Sequence, residues 1–303
     1  MKNEAVFRVR GTGHRLAGRT WIMGIVNVTP DSFYDGGRFA DPARAVDHAL
    51  ELAGEGADIL DVGGESTRPG STPIPAADEL GRVVPVIAGL RRQSPVLISV
   101  DTTKPEVAEA ALDAGADIIN DITAGEGLDH RMLGLAAHRN AGFVLMHMKG
   151  APKTMQDKPL YDDVLGEIRG FFAARLEIAR AYGLPFENIV LDPGIGFGKR
   201  LEDNLALLNG LGAFAGLGRP LLVGPSRKGF IGRLLDLPSA DDRLEGSIAA
   251  AVVAVVRGAH ILRVHDVRAV RRAVLVAEAI TGSPPDSLAG AAGTIGEEAG
   301  RVR

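Results

Sequence analysis

The sequence predicts a (β/α)₈ barrel, the TIM-barrel architecture, with a short N-terminal β-hairpin. Three observations carry this prediction: eight short apolar runs rich in Ile and Val, longer helical patterns between them, and a total span of about 260 residues, which suits eight such units. Continuous apolar runs are typical of parallel strands that are buried on both faces. An open, doubly wound α/β sheet is the competing architecture.

The eight apolar runs are the predicted barrel strands. In chain order they are residues 22–28, 59–62, 96–100, 118–122, 143–146, 189–191, 221–223 and 261–264. Start signals for helices stand between several of them. Asp41 before Pro42 is typical of an N-cap followed by proline, Thr103 with Glu106 matches a capping box, and Asp266 precedes an apolar stripe.

The predicted domain is a single barrel over residues 1–280. Its first 20 residues are predicted to form a hairpin, with strands at 6–10 and 14–16 around a Gly-Thr-Gly turn. Residues 281–303 are rich in Gly, Ser, Pro and Ala, which predicts a flexible C-terminal tail.

Composition excludes several classes of function. The 303 residues hold 34 Lys and Arg against 38 Asp and Glu, a net charge of −4, so a general nucleic-acid or anionic-membrane binder is not expected. The absence of Cys excludes disulfides, thiolate zinc sites, iron–sulfur clusters and a cysteine nucleophile, and suits a cytoplasmic protein. The longest apolar run, residues 248–256, falls short of the roughly 20 residues that span a membrane, so we expect a buried helix there.

Polar side chains follow nearly every predicted strand. Barrel enzymes carry their chemistry at the carboxyl ends of the strands, where these side chains would meet. Any single Asp or Asn at such a position is as often a cap or turn residue as a functional one. The set comprises Asn27, Asp61, Asp101, Asn120, Asp192, Lys228, Arg263 and His265.

Strands seven and eight are expected to form a cationic corner. Arg263 and His265 are two residues apart on one strand, so they share a face, and Lys228 follows the neighbouring strand. This is the usual phosphate-binding corner of a (β/α)₈ barrel. An ion pair between Arg263 and a local Asp is the alternative.

Strands three, four and six supply hydrogen-bond acceptors. Asp101, Asn120 and Asp192 together suit the edge of a flat heterocycle that carries several N–H groups. Met146 and Phe197 are candidates to cover its faces. Carboxylates at these positions are also candidates for a divalent metal.

Two further features qualify this picture. His147 is a weak candidate for a metal ligand, and a core position suits it better.

Residues 29–38 and 63–75 are long and rich in Gly and Pro, so they are candidate lids, with ordinary surface loops as the alternative.

Several motifs resemble the dihydropteroate synthase family, in collinear order over about residues 20–280. They are MGIVNVTPDSF (23–33), DVGGESTRPGS (61–71), VDTTKPEV (100–107), IINDI (118–122), LMHM (145–148), DPGIGFGK (192–199), SRK (226–228) and RVHD (263–266). The resemblance implies a (β/α)₈ barrel, a homodimer and a role in folate biosynthesis. The implied transferase joins 6-hydroxymethyl-7,8-dihydropterin pyrophosphate to p-aminobenzoate, with Mg²⁺-assisted, SN1-like loss of pyrophosphate.

The resemblance also implies a role for each matching residue. The implied catalytic residues are Asp101, Lys228, Arg263 and His265. The implied pterin-pyrophosphate contacts are Thr67, Asp101, Asn120, Met146, Asp192, Phe197, Lys228, Arg263 and His265. The implied p-aminobenzoate contacts are Phe33, Thr67, Arg68, Pro69, Lys228 and Gly229. Asn27 is the implied contact for Mg²⁺.

One position departs from the family pattern. Members usually carry Ser after the SRK lysine, where its hydroxyl helps to hold the p-aminobenzoate carboxylate, and here that position is Gly229. The backbone N–H of Gly229 still offers a donor. The substitution bears on p-aminobenzoate and not on the pterin half.

Two other functions compete with the transferase. A pterin-binding barrel that moves a methyl group to a corrinoid has no need of the cationic corner or the Ser-Thr-Arg-Pro segment. A non-catalytic paralogue is expected to have lost Thr67, Arg68 or Lys228, and all three are present.

Overall fold

The computed structural model describes residues 5–16, 18–29, 41–67, 70–157 and 159–282. The predictions for Phe33, Arg68, Pro69, the rest of the 30–40 segment and the tail from residue 283 lie outside these described residues.

Eight parallel strands form the barrel. They follow the two hairpin strands, β1 (Val6–Val9) and β2 (Thr12–Arg15), and are β3 (Trp21–Asn27), β4 (Ile59–Gly63), β5 (Leu97–Asp101), β6 (Ile118–Asp121), β7 (Gly142–Met146), β8 (Ile189–Asp192), β9 (Leu222–Val223) and β10 (Ile261–Val264). Their order is β8-β7-β6-β5-β4-β3-β10-β9, and a parallel bridge from Leu191 to Leu221 joins the two ends. The barrel prediction is therefore confirmed, the open sheet is wrong, and the predicted strands differ from the observed ones by a residue or so at their ends.

The helices of the described residues surround the barrel. They are α1 (Pro42–Gly54), α2 (Ala76–Gln93), α3 (Pro105–Ala114), α4 (Arg131–His138), α5 (Val164–Ala181), α6 (Leu201–Asn209), α7 (Gly229–Leu235), α8 (Leu244–Val256) and α9 (Val267–Ile280). None of these helices is both long enough and apolar enough to cross a membrane. The apolar run 248–256 lies in α8, which buries Ala251, Ala254 and Val255 but leaves Val253 and Val256 exposed.

Two of the three predicted helix starts are confirmed and one needs correction. The Asp41 carboxylate accepts the Ala43 N–H at 2.9 Å, so that N-cap is confirmed. The capping box at Thr103 is wrong, because α3 begins one residue later with Pro105, whose fixed φ and missing N–H suit the first helical position. Asp266 does occupy the N-cap of α9, but its carboxylate binds the Arg227 guanidinium instead of the helix.

The N-terminal hairpin forms with a different turn from the predicted one. Strands β1 (Val6–Val9) and β2 (Thr12–Arg15) flank a two-residue turn at Arg10 and Gly11, with φ of +48° and +81°. Two positive φ values match the right-handed twist of paired strands, which favours this turn over the predicted Gly-Thr-Gly one.

The hairpin closes the N-terminal end of the barrel. Its buried Phe7 packs among the lower inward-facing side chains of the strands, and a Cβ added at Gly142 would lie only 2.6 Å from the Phe7 ring. Successive inward positions on a strand are two residues apart. One step above Ile59 stands Asp61, above Ile118 stands Asn120, and above Ile261 stands Arg263. The apolar lower layer therefore gives way to a polar layer facing the open, C-terminal mouth.

Candidate active site

Arg263 lies at the centre of the polar layer. Its Nε donates to Asp61 Oδ2 at 2.6 Å and its Nη2 donates to Asp101 Oδ2 at 2.7 Å. The ion-pair alternative therefore holds for Arg263, although its partners come from β4 and β5 and not from its own strand. Since a guanidinium has five N–H donors, these two bonds leave others for a ligand at the mouth.

Asp61 is one of the predicted polar strand-end residues, but no role in the site was predicted for it. It is fully buried, and its Oδ2 also accepts the Asn120 side-chain N–H at 3.0 Å. Among the described residues its Oδ1 has no hydrogen-bond partner. The signal in the sequence is a carboxylate two residues after Ile59, within a buried strand. Residues two apart on a strand share a face, and a buried carboxylate requires partners.

Burial and neighbouring charges have opposite effects on the pKa values of Arg263 and of its partner Asp101. Burial lowers the pKa of Arg263, but Asp61 and Asp101 outweigh it and raise that pKa above its ordinary value. Burial raises the pKa of Asp101 to about 7, against the opposing charge of Arg263. Burial is the largest cause of the raised pKa of Asp101, and the neighbouring charge of Asp61 adds to it.

Asp192 forms the opposite wall of the mouth, at the end of β8. Its Oδ1 accepts the Gly194 N–H at 2.8 Å. Burial raises the pKa of Asp192 to about 6, and the Gly194 N–H and the charges of Lys228 and Arg263 reduce that rise. Asp192 is thus a buried carboxylate that, like Asp101, lies near the charge of Arg263.

Lys199 was also missed, and it lies buried behind Asp192. Its ammonium donates to His147 Nδ1 at 3.0 Å, to the Phe197 carbonyl at 3.0 Å and to the His147 carbonyl at 3.3 Å. Burial lowers the pKa of Lys199 to about 7, and burial with the nearby Lys199 charge lowers that of His147 to about 3. His147 packs edge-on against Phe171, as expected of a core position.

An apolar wall stands beside these acids. Met146 and Phe197 belong to one buried cluster with Ile122 and Met155. The Lys228 ammonium lies 4.1 Å from the centre of the Phe197 ring, over its face. A cation over an aromatic face is attracted by the negative face of the ring.

The expected cationic corner has fewer charges than predicted. His265 Nδ1 lies 3.0 Å from the Ser226 hydroxyl. Burial and the charges of Arg263 and Arg227 lower the pKa of His265 to about 3. The prediction of a cationic His265 is therefore wrong: the imidazole is neutral, because it is buried beside cations, and Arg263 and Lys228 carry the charge.

The remaining predicted residues lie around the rim. Asn27 ends β3 and, with His265, lines a cavity of about 660 Å³ that extends outward between α1 and α9. Thr67 lies in the segment after β4. Gly229 begins α7, and a Cβ added there would meet no atom within 4 Å.

The segment that carries Thr67 is tied at both ends. Glu65 Oε2 accepts the Ile74 N–H at 2.8 Å and the Lys104 ammonium at 2.7 Å. Lys104 also donates to the buried Glu79 at 2.5 Å. This group of charges anchors the base of the segment to α2 and to the loop after β5.

The hydrogen-bond acceptors at the mouth suit a heterocycle that carries several N–H groups, and the cations beside them suit an anion. The family model of pterin binding enzymes matches residues 23–265, so the chain is a pterin-binding barrel. A dihydropteroate synthase of Synechocystis is 48% identical over 262 residues, which cover 86% of this chain and 90% of that protein. The chain belongs to the dihydropteroate synthase family of transferases.

Solved structures of the family have the same fold. A dihydropteroate synthase of Xanthomonas albilineans with 4-aminobenzoic acid is 45% identical, with a TM-score of 0.85 over 92% of this chain and 100% of that one. The same bacterium's enzyme in complex with 7,8-dihydropteroate is 43% identical, with a TM-score of 0.82 over 91% of this chain and 100% of that one.

The raised pKa of Asp192 predicts that its ionised carboxylate, which serves the site, lowers the stability of the folded protein. A carboxyl whose pKa is raised by folding destabilises the folded state when it is ionised. Asp192→Asn keeps an oxygen for the Gly194 N–H, so at pH 7 we expect its free energy of unfolding to rise by on the order of 1 kcal/mol. The gain should vanish below about pH 4, where the wild-type carboxyl is protonated in both states.

Urea unfolding at pH 7 and pH 4 measures this effect, with the exposed Asp242→Asn as the matched control, expected to change little at either pH. A variant Asp192→Asn that is less stable than the wild type at pH 7 would show that the ionised carboxylate is a net stabilising group.

Proposed function

We propose that this chain condenses 6-hydroxymethyl-7,8-dihydropterin pyrophosphate with p-aminobenzoate, forming 7,8-dihydropteroate and pyrophosphate. The observation that carries the proposal is the meeting of two sets of residues at one barrel mouth: acceptors for a heterocycle edge and cations for an anion, joined through the bonds of Arg263. Membership of the dihydropteroate synthase family supports it. The proposed location is the cytoplasm, which suits a chain without Cys.

The pterin is proposed to bind against the acidic wall. The carboxylate of Asp192 accepts ring and amino N–H groups, and Asp101 and Asn120 complete the edge. Met146 and Phe197 supply apolar contact to the ring face, and Lys228 sits between this wall and the rim. The existing bond from Asn120 to Asp61 orients the amide before the ligand arrives.

The difficult step is the departure of pyrophosphate. The bond between the pterin methylene carbon and the diphosphate oxygen breaks, its electron pair leaves with the oxygen, and the electron-rich pterin delocalises the positive charge. Arg263 and His265 are proposed to stabilise the leaving anion. The aryl amine then bonds to the methylene carbon and loses its proton to solvent, so no strong general base is required.

Mg²⁺ is the metal that the family resemblance implies. Among the described residues no three His, Cys, Asp or Glu side chains form a metal-binding group. A diphosphate-borne Mg²⁺ needs only one or two oxygens from the protein, and Asn27 offers an amide oxygen on the cavity that His265 also lines. When bound, the ion would neutralise charge on the diphosphate; Asn27 is the residue proposed to hold it.

The p-aminobenzoate is proposed to lie at the rim, above the pterin. Its proposed contacts are Phe33, Thr67, Arg68, Pro69, Lys228 and Gly229. Thr67 and Gly229 lie on the segments after β4 and β9, so both stand at the mouth. The other loop residues lie outside the described part of the chain.

Replacement of Arg263 tests the proposed departure step. Arg263→Lys keeps a charge beside Asp61 and Asp101 but removes the guanidinium fork. We expect kcat to fall about 10²–10³-fold, as for other lost electrostatic contacts to a leaving charge. The Kd of a pterin ligand that cannot react should change less than tenfold. Pyrophosphate release, followed with and without p-aminobenzoate, gives kcat, and calorimetry gives Kd.

The matched control is Arg219→Lys, at the opposite end of the barrel, where the guanidinium binds carbonyl groups that include that of Val6. It should lower stability and leave kcat unchanged. Equal losses of kcat and pterin affinity in Arg263→Lys would count against a role in departure.

Gly229 provides a test of the p-aminobenzoate site. Because a side chain at this position meets open space, Gly229→Ser and Gly229→Ala should both fold normally. The new hydroxyl is expected to lower the KM for p-aminobenzoate about fivefold, in line with a hydrogen bond worth about 1 kcal/mol. The KM for the pterin should not change.

Gly229→Ala separates the hydroxyl from the effect of adding a side chain, and it should behave as the wild type. Identical KM values for the Ser and Ala variants would show that this position does not contact the carboxylate.

The chain is also proposed to form a homodimer through α7, α8 and α9. Of the ten large hydrophobic residues that are exposed in the described structure, six lie on these helices: Leu234, Leu235, Val253, Val256, Val276 and Ile280. A concentration of exposed apolar side chains on neighbouring helices indicates an interaction surface.

A charge on α8 tests the dimer. Val253→Asp should halve the mass measured by sedimentation velocity, because it places a carboxylate in the apolar contact. Leu160→Asp, at another exposed apolar residue, is the matched control and should leave the mass unchanged. A wild-type chain that sediments as a monomer would refute the dimer.

A further inference from the structure

His265 is hydrogen-bonded to the hydroxyl of Ser226, a residue that has no role in the proposed reaction as described above. Ser226 lies in the turn between β9 and α7 and is 5% exposed. Its Oγ lies 3.0 Å from His265 Nδ1, and it accepts the backbone N–H of His265 at 3.3 Å. The serine therefore contacts both the ring and the main chain of one residue.

The single proton of this hydroxyl decides the direction of the bond to the ring. Ser226 already accepts the His265 backbone N–H, and a buried hydroxyl proton requires an acceptor of its own. Among the described residues, the one acceptor within reach of that proton is His265 Nδ1. The hydroxyl therefore donates to Nδ1.

This direction determines the tautomer of the histidine. A neutral imidazole that accepts at Nδ1 carries its proton on Nε2. The ring is neutral because it is buried, and because Arg263, Arg227 and Lys228 oppose a further charge more strongly than Asp266 favours one. His265 then presents an N–H donor on the ring nitrogen that Ser226 does not contact.

The turn that carries Ser226 is held rigidly. Its next residue, Arg227, has a φ of +58°, a strained value for a residue with a side chain. The Arg227 backbone N–H donates to Ser247 Oγ at 2.8 Å, and its guanidinium donates to both oxygens of Asp266 at 2.8 and 3.1 Å. Asp266 follows His265 directly, so one ion pair joins the serine turn to the histidine strand.

We propose that Ser226 is a positioning residue that holds His265 as the Nε2–H tautomer, so that the neutral ring donates a hydrogen bond to the leaving diphosphate. The inference rests on the proposed function and deepens it. The step balances without a proton transfer from His265, because the electron pair of the broken C–O bond leaves with the diphosphate and the ring only donates a hydrogen bond to it.

The tautomer is measured directly on the full-length protein by NMR with ¹³C,¹⁵N-labelled histidine. The shifts of the two ring nitrogens and of Cδ2 distinguish the tautomers, and His265→Gln identifies the signal among the seven His. We expect the Nε2–H form in the wild type and in Ser226→Thr, and a mixture of tautomers in Ser226→Ala. An Nδ1–H form in the wild type would overturn the proposal, whether or not the chain is a transferase.

Steady-state kinetics provides a second test of the role of Ser226. Ser226→Ala should lower kcat about tenfold, with both KM values within threefold of the wild type, and Ser226→Thr should restore most of the loss. In a His265→Gln background Ser226→Ala should have no further effect. Equal losses in both backgrounds would show that Ser226 acts independently of His265 and would overturn the proposal.

Two controls separate failure of folding and of function from failure of the inference. Ser99→Ala removes another buried hydroxyl, one without a partner among the described residues, and should change kcat less than twofold. Thermal unfolding confirms that each variant is folded. If the wild type releases no pyrophosphate, the proposed function fails, while the NMR reading still decides the tautomer.

Discussion

The site depends on one interaction, the buried contact of Arg263 with Asp61 and Asp101. Removing Arg263 would leave two buried carboxylates without their cation, which is far more destabilising than the ion pairs themselves are stabilising. Asp61 also holds Asn120, so four strands of the barrel are joined through these side chains. The residues proposed to recognise the pterin are thus oriented by the residue proposed to stabilise the diphosphate.

The fold makes this arrangement possible by sorting residues along each strand. Inward positions change from apolar to polar within two residues, so the charged layer rests on an apolar layer that the hairpin completes. Burial then sets the chemistry: it makes the pKa values of Asp101 and Asp192 unusually high and that of His265 unusually low.

Much of the fold could be predicted from the sequence, because apolar runs and polar strand ends are local signals. The roles of Asp61 and Lys199 escaped prediction because a single Asp at a strand end also fits a cap, and because a lysine in a glycine-rich loop is usually exposed. The charge of His265 depends on Arg263 and Arg227, so it follows from tertiary contacts and not from residue type. The hairpin turn and the start of α3 were misplaced by one or two residues, because glycine, threonine and proline fit several neighbouring positions.

The central claim is that one mouth binds both the heterocycle and the diphosphate. A crystal structure with 6-hydroxymethyl-7,8-dihydropterin pyrophosphate tests it most directly. The account predicts the heterocycle N–H groups within hydrogen-bond distance of Asp192 and the diphosphate oxygens on Arg263 and His265 Nε2. A diphosphate bound away from Arg263, or a heterocycle seated outside the barrel mouth, would contradict it.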